Sequence, residues 1–201
     1  MKESIKVANG FSRIEVEVTG ITPLMMNKIS EATLIGLRTK EKPSKSQTKD
    51  ITPRQEAEVK LHTTKDGEPY IPIEALMKTL INAGQYIRLD GKRQASTSKS
   101  SLVPGFLTIE DPQLLLSHSE WEVDMRPGKN PNGGELVCIV RPRFDKWGFT
   151  VTVLLDTLQF SEQKCRELFD IALSRVGLLE FRPSCKGTFG RGKVTHWDVL
   201  N

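Results

Sequence analysis

The sequence predicts an α+β fold of ferredoxin-like (RRM-like) βαββαβ order, with an antiparallel sheet, helices on one face and a flexible insertion after the first strand. Three observations predict it. F-S-R-I-E-V-E-V-T-G, residues 11–20, alternates apolar and polar residues at the period of a half-buried strand. Two later stretches place apolar residues at helical spacing, and β-branched or aromatic runs bounded by turn residues lie between and after them.

In the first strand, Ile14, Val16 and Val18 face one way and Arg13, Glu15 and Glu17 the other. Gly20 and Pro23 end it, and Leu24, Met25 and Met26 are expected under the sheet edge. Residues 28–66 change character. K-E-K-P-S-K-S-Q-T-K-D at their centre has too little apolar surface to offset its ordering entropy, so a mobile excursion is expected, with a helix at 54–61. Pro72 suits a first helical turn, and Ile73, Leu76, Met77, Leu80, Ile81, Gly84 and Ile87 follow i, i+3, i+4 spacing. A basic, flexible polar loop follows at 89–101. Strands are expected at 106–109, 121–125, 136–142 and 149–155. Ser161 caps a second helix with the stripe Cys165, Leu168, Phe169, Ala172 and Val176, closed by Gly177, and a last strand runs 194–199.

A chain of 201 residues with 37% apolar and 27% charged residues forms one domain and is not wholly disordered. Cys138, Cys165 and Cys185 are odd in number and far apart, which excludes a disulfide framework and a C-x-x-C metal knuckle. No metal or cofactor is expected. No run approaches the ~18 apolar residues of a membrane span, and the first residues lack an apolar signal core, so a cytoplasmic protein without membrane partners is expected. A net charge of +4 and a pI near 9.0 are mild, so the placement of charge carries the information.

That placement is uneven. F-R-P-S-C-K-G-T-F-G-R-G-K, residues 181–193, sets Arg182, Lys186, Arg191 and Lys193 around Gly187, Gly190 and Gly192 without one acid. Glycines there let successive main-chain amides converge on an anion, and a polyanion is the natural guest. The same residues also fit a solvated basic turn. A second cationic group comprises Lys28, Arg38, Lys40 and Lys42, with Lys45 and Lys49, and a third Arg88, Lys92, Arg93 and Lys99. In R-P-R-F-D-K-W, Arg141 and Arg143 share a strand face, and Phe144 suits either base stacking or the core. Trp147 is assigned to the core, with Asp145 paired to an arginine.

The stretch 177–194, G-L-L-E-F-R-P-S-C-K-G-T-F-G-R-G-K-V, resembles the glycine-rich loop of the RAMP superfamily, the RNA-binding proteins of CRISPR effector complexes. T-G-I-T-P-L-M-M and P-Y-I-P-I-E-A-L-M-K-T-L are similar to the family's T-P-L element and the start of its first helix. With R-P-R-F-D-K-W, the set also resembles stand-alone phage and prophage proteins. The resemblance implies single-stranded RNA, or single-stranded DNA, held along its phosphates, with residues 28–66 as a thumb. It also implies self-association or other CRISPR-type subunits as partners. Among His62, His118 and His196, only His196, near the basic loop, is a candidate general base. The segment T-G-I-T-P-L-M-M-N-K after the first strand holds no Asp, Asp50 and Asp66 lie too deep in the insertion, and Asn27 cannot replace a carboxylate in proton transfer, which argues against target cleavage. The reading is therefore of a non-catalytic single-strand-binding protein that lines up along its ligand. The alternatives are a metal-independent endoribonuclease using His196 and a phage-type scaffold or ssDNA-binding protein.

Overall fold

A computed structural model describes residues 10–40, 51–129 and 134–200, the side chain of Ala32 excepted. Lys42, Lys45 and Lys49 lie outside the described residues. The alternating first segment forms β1, Phe11–Gly20, with Ile14, Val16 and Val18 buried. It pairs antiparallel with β8, Gly148–Asp156, on one side and β9, Gly192–Leu200, on the other, and β4, Leu107–Ile109, adds to β8. The resulting order is β4-β8-β1-β9, antiparallel throughout. In register, Ile14 lies beside Val153 and Val199, and Val16 beside Val151 and Trp197, so one face of the sheet is apolar across three strands.

Two helices cover that face. Helix α3, Ile73–Ala83, buries Leu76, Thr79, Leu80 and Ala83. Helix α5, Glu162–Ile171, is capped by Ser161, whose hydroxyl accepts from the Lys164 amide, and buries Cys165, Leu168 and Phe169. Burial pushes the Cys165 thiol up to about 12, leaving it as a small apolar filler. A π-helical turn, Ala172–Val176, ends α5 at Gly177, where φ is +77°. The helices run antiparallel. Thr79 Oγ1 donates to the Gly177 carbonyl at one end, and Lys164 Nζ donates to the Leu89 carbonyl at the other.

The strands expected at 121–125 and 136–142 do not join the main sheet. They are β6, Glu122–Lys129, and β7, Leu136–Phe144, paired with each other, and β7 pairs on its other edge with β2, Leu24–Met25, giving a second sheet of order β2-β7-β6. β6 contains Pro127 and Gly128, and β7 alternates burial toward its base, a pattern suited to a two-stranded ribbon rather than to a strand covered on both faces. A third pairing joins β3, Tyr70–Ile71, to β5, Leu114–Leu115.

The excursion after β2 contains two helices, α1, Glu31–Thr39, and α2, Pro53–Glu58. Thr52 and Gln55 form a capping box on α2, and Ala57 is fully buried. Lys60 Nζ donates to the Val140 carbonyl at 2.6 Å, and the Arg54 guanidinium lies 3.3 Å from the Trp121 ring centroid. Residues 54–61 are thus fastened to the ribbon. The strand expected at 106–109 begins one residue later, after a single helical turn, α4, Val103–Phe106. Trp147 is buried, donates from Nε1 to the Thr22 carbonyl at 2.7 Å, and lies so close over Gly20 that a Cβ there would come within 2.3 Å. Among the described residues no helix is long and apolar enough to cross a membrane.

Candidate nucleic-acid interface

Three segments distant in sequence meet at the Gly177 end of α5. After β2 the chain is held by Met26 N donating to the Pro142 carbonyl at 3.1 Å and Lys28 N to the Lys60 carbonyl at 2.9 Å. Helix α3 presents Lys78 and Asn82 one turn apart, and the chain leaving Gly177 brings Glu180 and Arg182 opposite them. Together with Asn27 and His62 these side chains line a cleft of about 280 Å³. Lys28 stands close enough to His62 to act on its charge. The cleft's acid, Glu180, is held by Arg141 at 3.4 Å. Lys28 and Lys78 are exposed and have no carboxylate partner among the described residues. Arg182 holds the wall by donating to the Leu179 carbonyl and, at 2.9 Å, to Ser184 Oγ. The site offers cations without an acid partner, two amides and an imidazole, groups able to donate hydrogen bonds to an anion.

Burial, and then the charge of Lys28, hold His62 below its ordinary 6.5, with Glu74 pulling the other way. Its ring stands edge-on to Tyr70 at 5.8 Å. Because the folded imidazole binds its proton less readily than the unfolded one, the unfolded chain carries the extra proton just below pH 6.5. Stability is therefore expected to fall as pH drops below about 6.5 and to level off once the folded value is passed. His62→Gln should flatten that slope in urea unfolding followed through the same pH range.

The glycine-rich loop corrects the amide cradle expected for Gly187, Gly190 and Gly192. Its amides are used by the chain itself: Gly187 N donates to the Arg182 carbonyl at 3.0 Å, Phe189 N to Phe181 at 2.9 Å and Gly190 N to Pro23 at 2.7 Å. Arg191 N donates to Thr22 Oγ1 at 3.0 Å. The glycines allow this self-crossing. A Cβ on Gly187 would lie 1.8 Å from the Phe181 carbonyl oxygen, one on Gly190 2.0 Å from that of Leu178, and one on Gly192 3.1 Å from that of Thr19. What the loop shows to solvent is its side chains. Lys186, Arg191 and Lys193 are exposed and have no acid partner among the described residues.

The other expected cations separate. Arg143 is bound by Glu122 and Asp145, both at 2.8 Å, and by Asp124 at 3.4 Å, and Arg141 by Glu180, so neither is an uncommitted charge. Burial opposes ionisation of Asp124, but Arg126 and Arg143 outweigh it and hold its carboxyl below the usual range. Phe144 is fully buried, so of its two candidate roles, base stacking and core, its ring takes the core and is not available to a nucleic acid. Arg88, Lys92 and Arg93 lie beside Leu89, at the Lys164 end of α5, about 20 Å of helix from the cleft. Arg38 and Lys40 sit at the far end of α1, nine residues or about 14 Å long.

The sheet face turned away from the helices carries Glu15, Glu17 and Asp198, none with a cation partner among the described residues, while Arg13 is tied to Glu110 at 2.6 Å. His196 is on this acidic face, opposite Glu17, and not in the cleft. The sequence pattern also gave no role to Phe181, Phe189 and Arg126, which cluster where the loop meets the ribbon. Among the described residues no group of three or more His, Cys, Asp or Glu could hold a metal ion.

No family model matches the sequence, and no curated protein matches it. Among solved structures, the chain is similar to one in the cryo-EM structure of the Type III-B Cmr-beta bound to cognate target RNA. That match has a TM-score of 0.50 at 15% identity and covers 96% of this chain and 61% of the other, so this chain spans about three-fifths of its length. It is also similar to Cmr6 from Pyrococcus furiosus, with a TM-score of 0.43 at 12% identity over 93% of this chain and 100% of that one. At 15% identity the likeness to the first is one of fold alone.

Proposed function

We propose that this protein binds single-stranded nucleic acid, RNA in preference to DNA, in the manner of a RAMP-type subunit. The observation that carries the reading is the cleft between β2, α3 and the Gly177–Arg182 turn, lined by Lys78 and Arg182, with Lys28 near its His62 and its one lining acid, Glu180, already paired. Lys186 and Arg191 extend the charge along the adjoining loop. The sheet order β4-β8-β1-β9, with α3 and α5 as its crossovers, supports a ferredoxin-like layer. The fold shared with a chain of a complex bound to target RNA supports RNA as the ligand. Self-association along the strand, or docking with other CRISPR-type subunits, belongs to the same reading. Cleavage through His196 has no support from its place among carboxylates, outside the cationic cleft.

The test is fluorescence anisotropy of end-labelled single-stranded RNA, single-stranded DNA and duplex over a salt series. Single-stranded RNA should bind best, with a log-log salt slope of about −0.7 for each phosphate held, hence about −2 for one phosphate each on Lys28, Lys78 and Arg182. Binding indifferent to salt, or none to any of the three, would overturn the reading. Mass photometry of the same mixtures should show ladders of copies only when the strand is present.

A further inference from the structure

Phe181 has a main-chain conformation that L side chains rarely adopt, φ +54°, in a segment where Leu179 at +57° and Gly177 at +77° also turn left-handed. For a bulky residue this is a strained state, held only because its surroundings over-determine it. Here the Phe181 carbonyl is pinned by the Phe189 amide at 2.9 Å and covered by Gly187. Strain of this kind clusters at ligand clamps and switch regions. Phe181 is 37% exposed, while Leu178, three residues earlier, is fully buried. The turn therefore lifts a ring out of the core.

The ring is also braced. It stands edge-on to Phe189 at 5.4 Å and 84°, and the Arg126 guanidinium lies 4.8 Å from its centroid and 4.7 Å from that of Phe189. Arg126 is itself fixed by two hydrogen bonds to Asp124, one of them 2.6 Å. The guanidinium thus lies over one face of a ring that is still 37% exposed, so a base would stack on the part of the ring that Arg126 leaves open, with both groups held at low conformational freedom. The next residue along the chain, Arg182, lines the phosphate cleft.

We infer that Phe181, with Arg126 beside it, is a stacking subsite for one unpaired nucleobase of a strand whose phosphate occupies the adjacent cleft. This rests on the reading proposed above and adds to it the class of ligand: a strand with accessible base faces, read without regard to sequence because every base presents a π-face. A duplex keeps its faces covered and gains nothing here.

The wild-type chain is titrated with two single-stranded RNAs of equal length, one intact and one with abasic sugars throughout its central segment. The intact strand should bind about 5- to 100-fold more tightly, the range one base–aromatic stack provides. In parallel, Phe181→Gly should lose that margin without a lower melting temperature, since glycine relieves the left-handed strain, and Phe181→Trp should keep it. RNA carrying 2-aminopurine should be quenched on binding by the wild type and by Phe181→Trp but not by Phe181→Gly. Equal affinity of the wild type for intact and abasic strands would overturn the stacking subsite while leaving the phosphate cleft standing. No binding of either strand would overturn both readings. Phe181→Gly binding like wild type, with Lys78→Ser weakened, would again remove the subsite alone.

Discussion

Replacing Lys28 and Lys78 together with serine is expected to lower the affinity for single-stranded RNA about tenfold to a hundredfold, from two charge-assisted contacts worth roughly 1 kcal/mol or more apiece. The salt slope should become shallower by about 1.4 at the same time, because two phosphates no longer displace their counterions. Both side chains are exposed and make no ion pair among the described residues, so the melting temperature should hold. Arg182 is left in place because its bonds to Leu179 and Ser184 shape the wall. The matching control is the triple change of Arg88, Lys92 and Arg93 to serine at the far end of α5. If diffuse positive charge were enough, the triple change would weaken binding as much as the double one. A localised cleft predicts that it does not.

Gly187→Ala and Gly190→Ala are each expected to destabilise the fold by about 2–4 kcal/mol, a drop of about 5–15 °C in thermal midpoint for a chain of this size. In both cases the new methyl group meets main chain that cannot rotate away: the Phe181 carbonyl at 1.8 Å and the Leu178 carbonyl at 2.0 Å. Gly190 adds a φ of +69°, unfavourable for any residue with a Cβ. Gly105→Ala is the contrast, since nothing lies within 4 Å of a Cβ there. Thermal melts by circular dichroism distinguish the three. Wild-type melting of Gly187→Ala would mean that the loop does not cross over itself at Phe181.

The glycines show where local sequence stops being informative. Their clustering among cations fits an anion cradle and a self-crossing equally well, because the atoms that decide are the carbonyls of Leu178, Phe181 and Pro23. The segments that set their own pattern were legible: β1 from its alternation, α3 and α5 from their stripes and the Ser161 cap. Strands β6 and β7 were legible as strands but not as a separate ribbon, since pairing partners are a non-local choice. Phe144 and Arg143 lie in one short basic-aromatic run, yet one is core and the other is held by Glu122 and Asp124 across the ladder. No sequence signal marks a phenylalanine at positive φ, and the cleft joins positions 27, 62, 78 and 182, which only the folded topology brings together.

The carboxylates on the helix-free side of the main sheet bear on encounter as well as on binding. Glu15, Glu17 and Asp198 stand on one side of the main sheet, while Lys28, Lys78, Lys186 and Arg191 are exposed without an acid partner elsewhere among the described residues. If the ligand is the polyanion proposed, the carboxylates are expected to repel it and the lysines to draw it in, so that encounters favour the cationic side and slow as salt is raised.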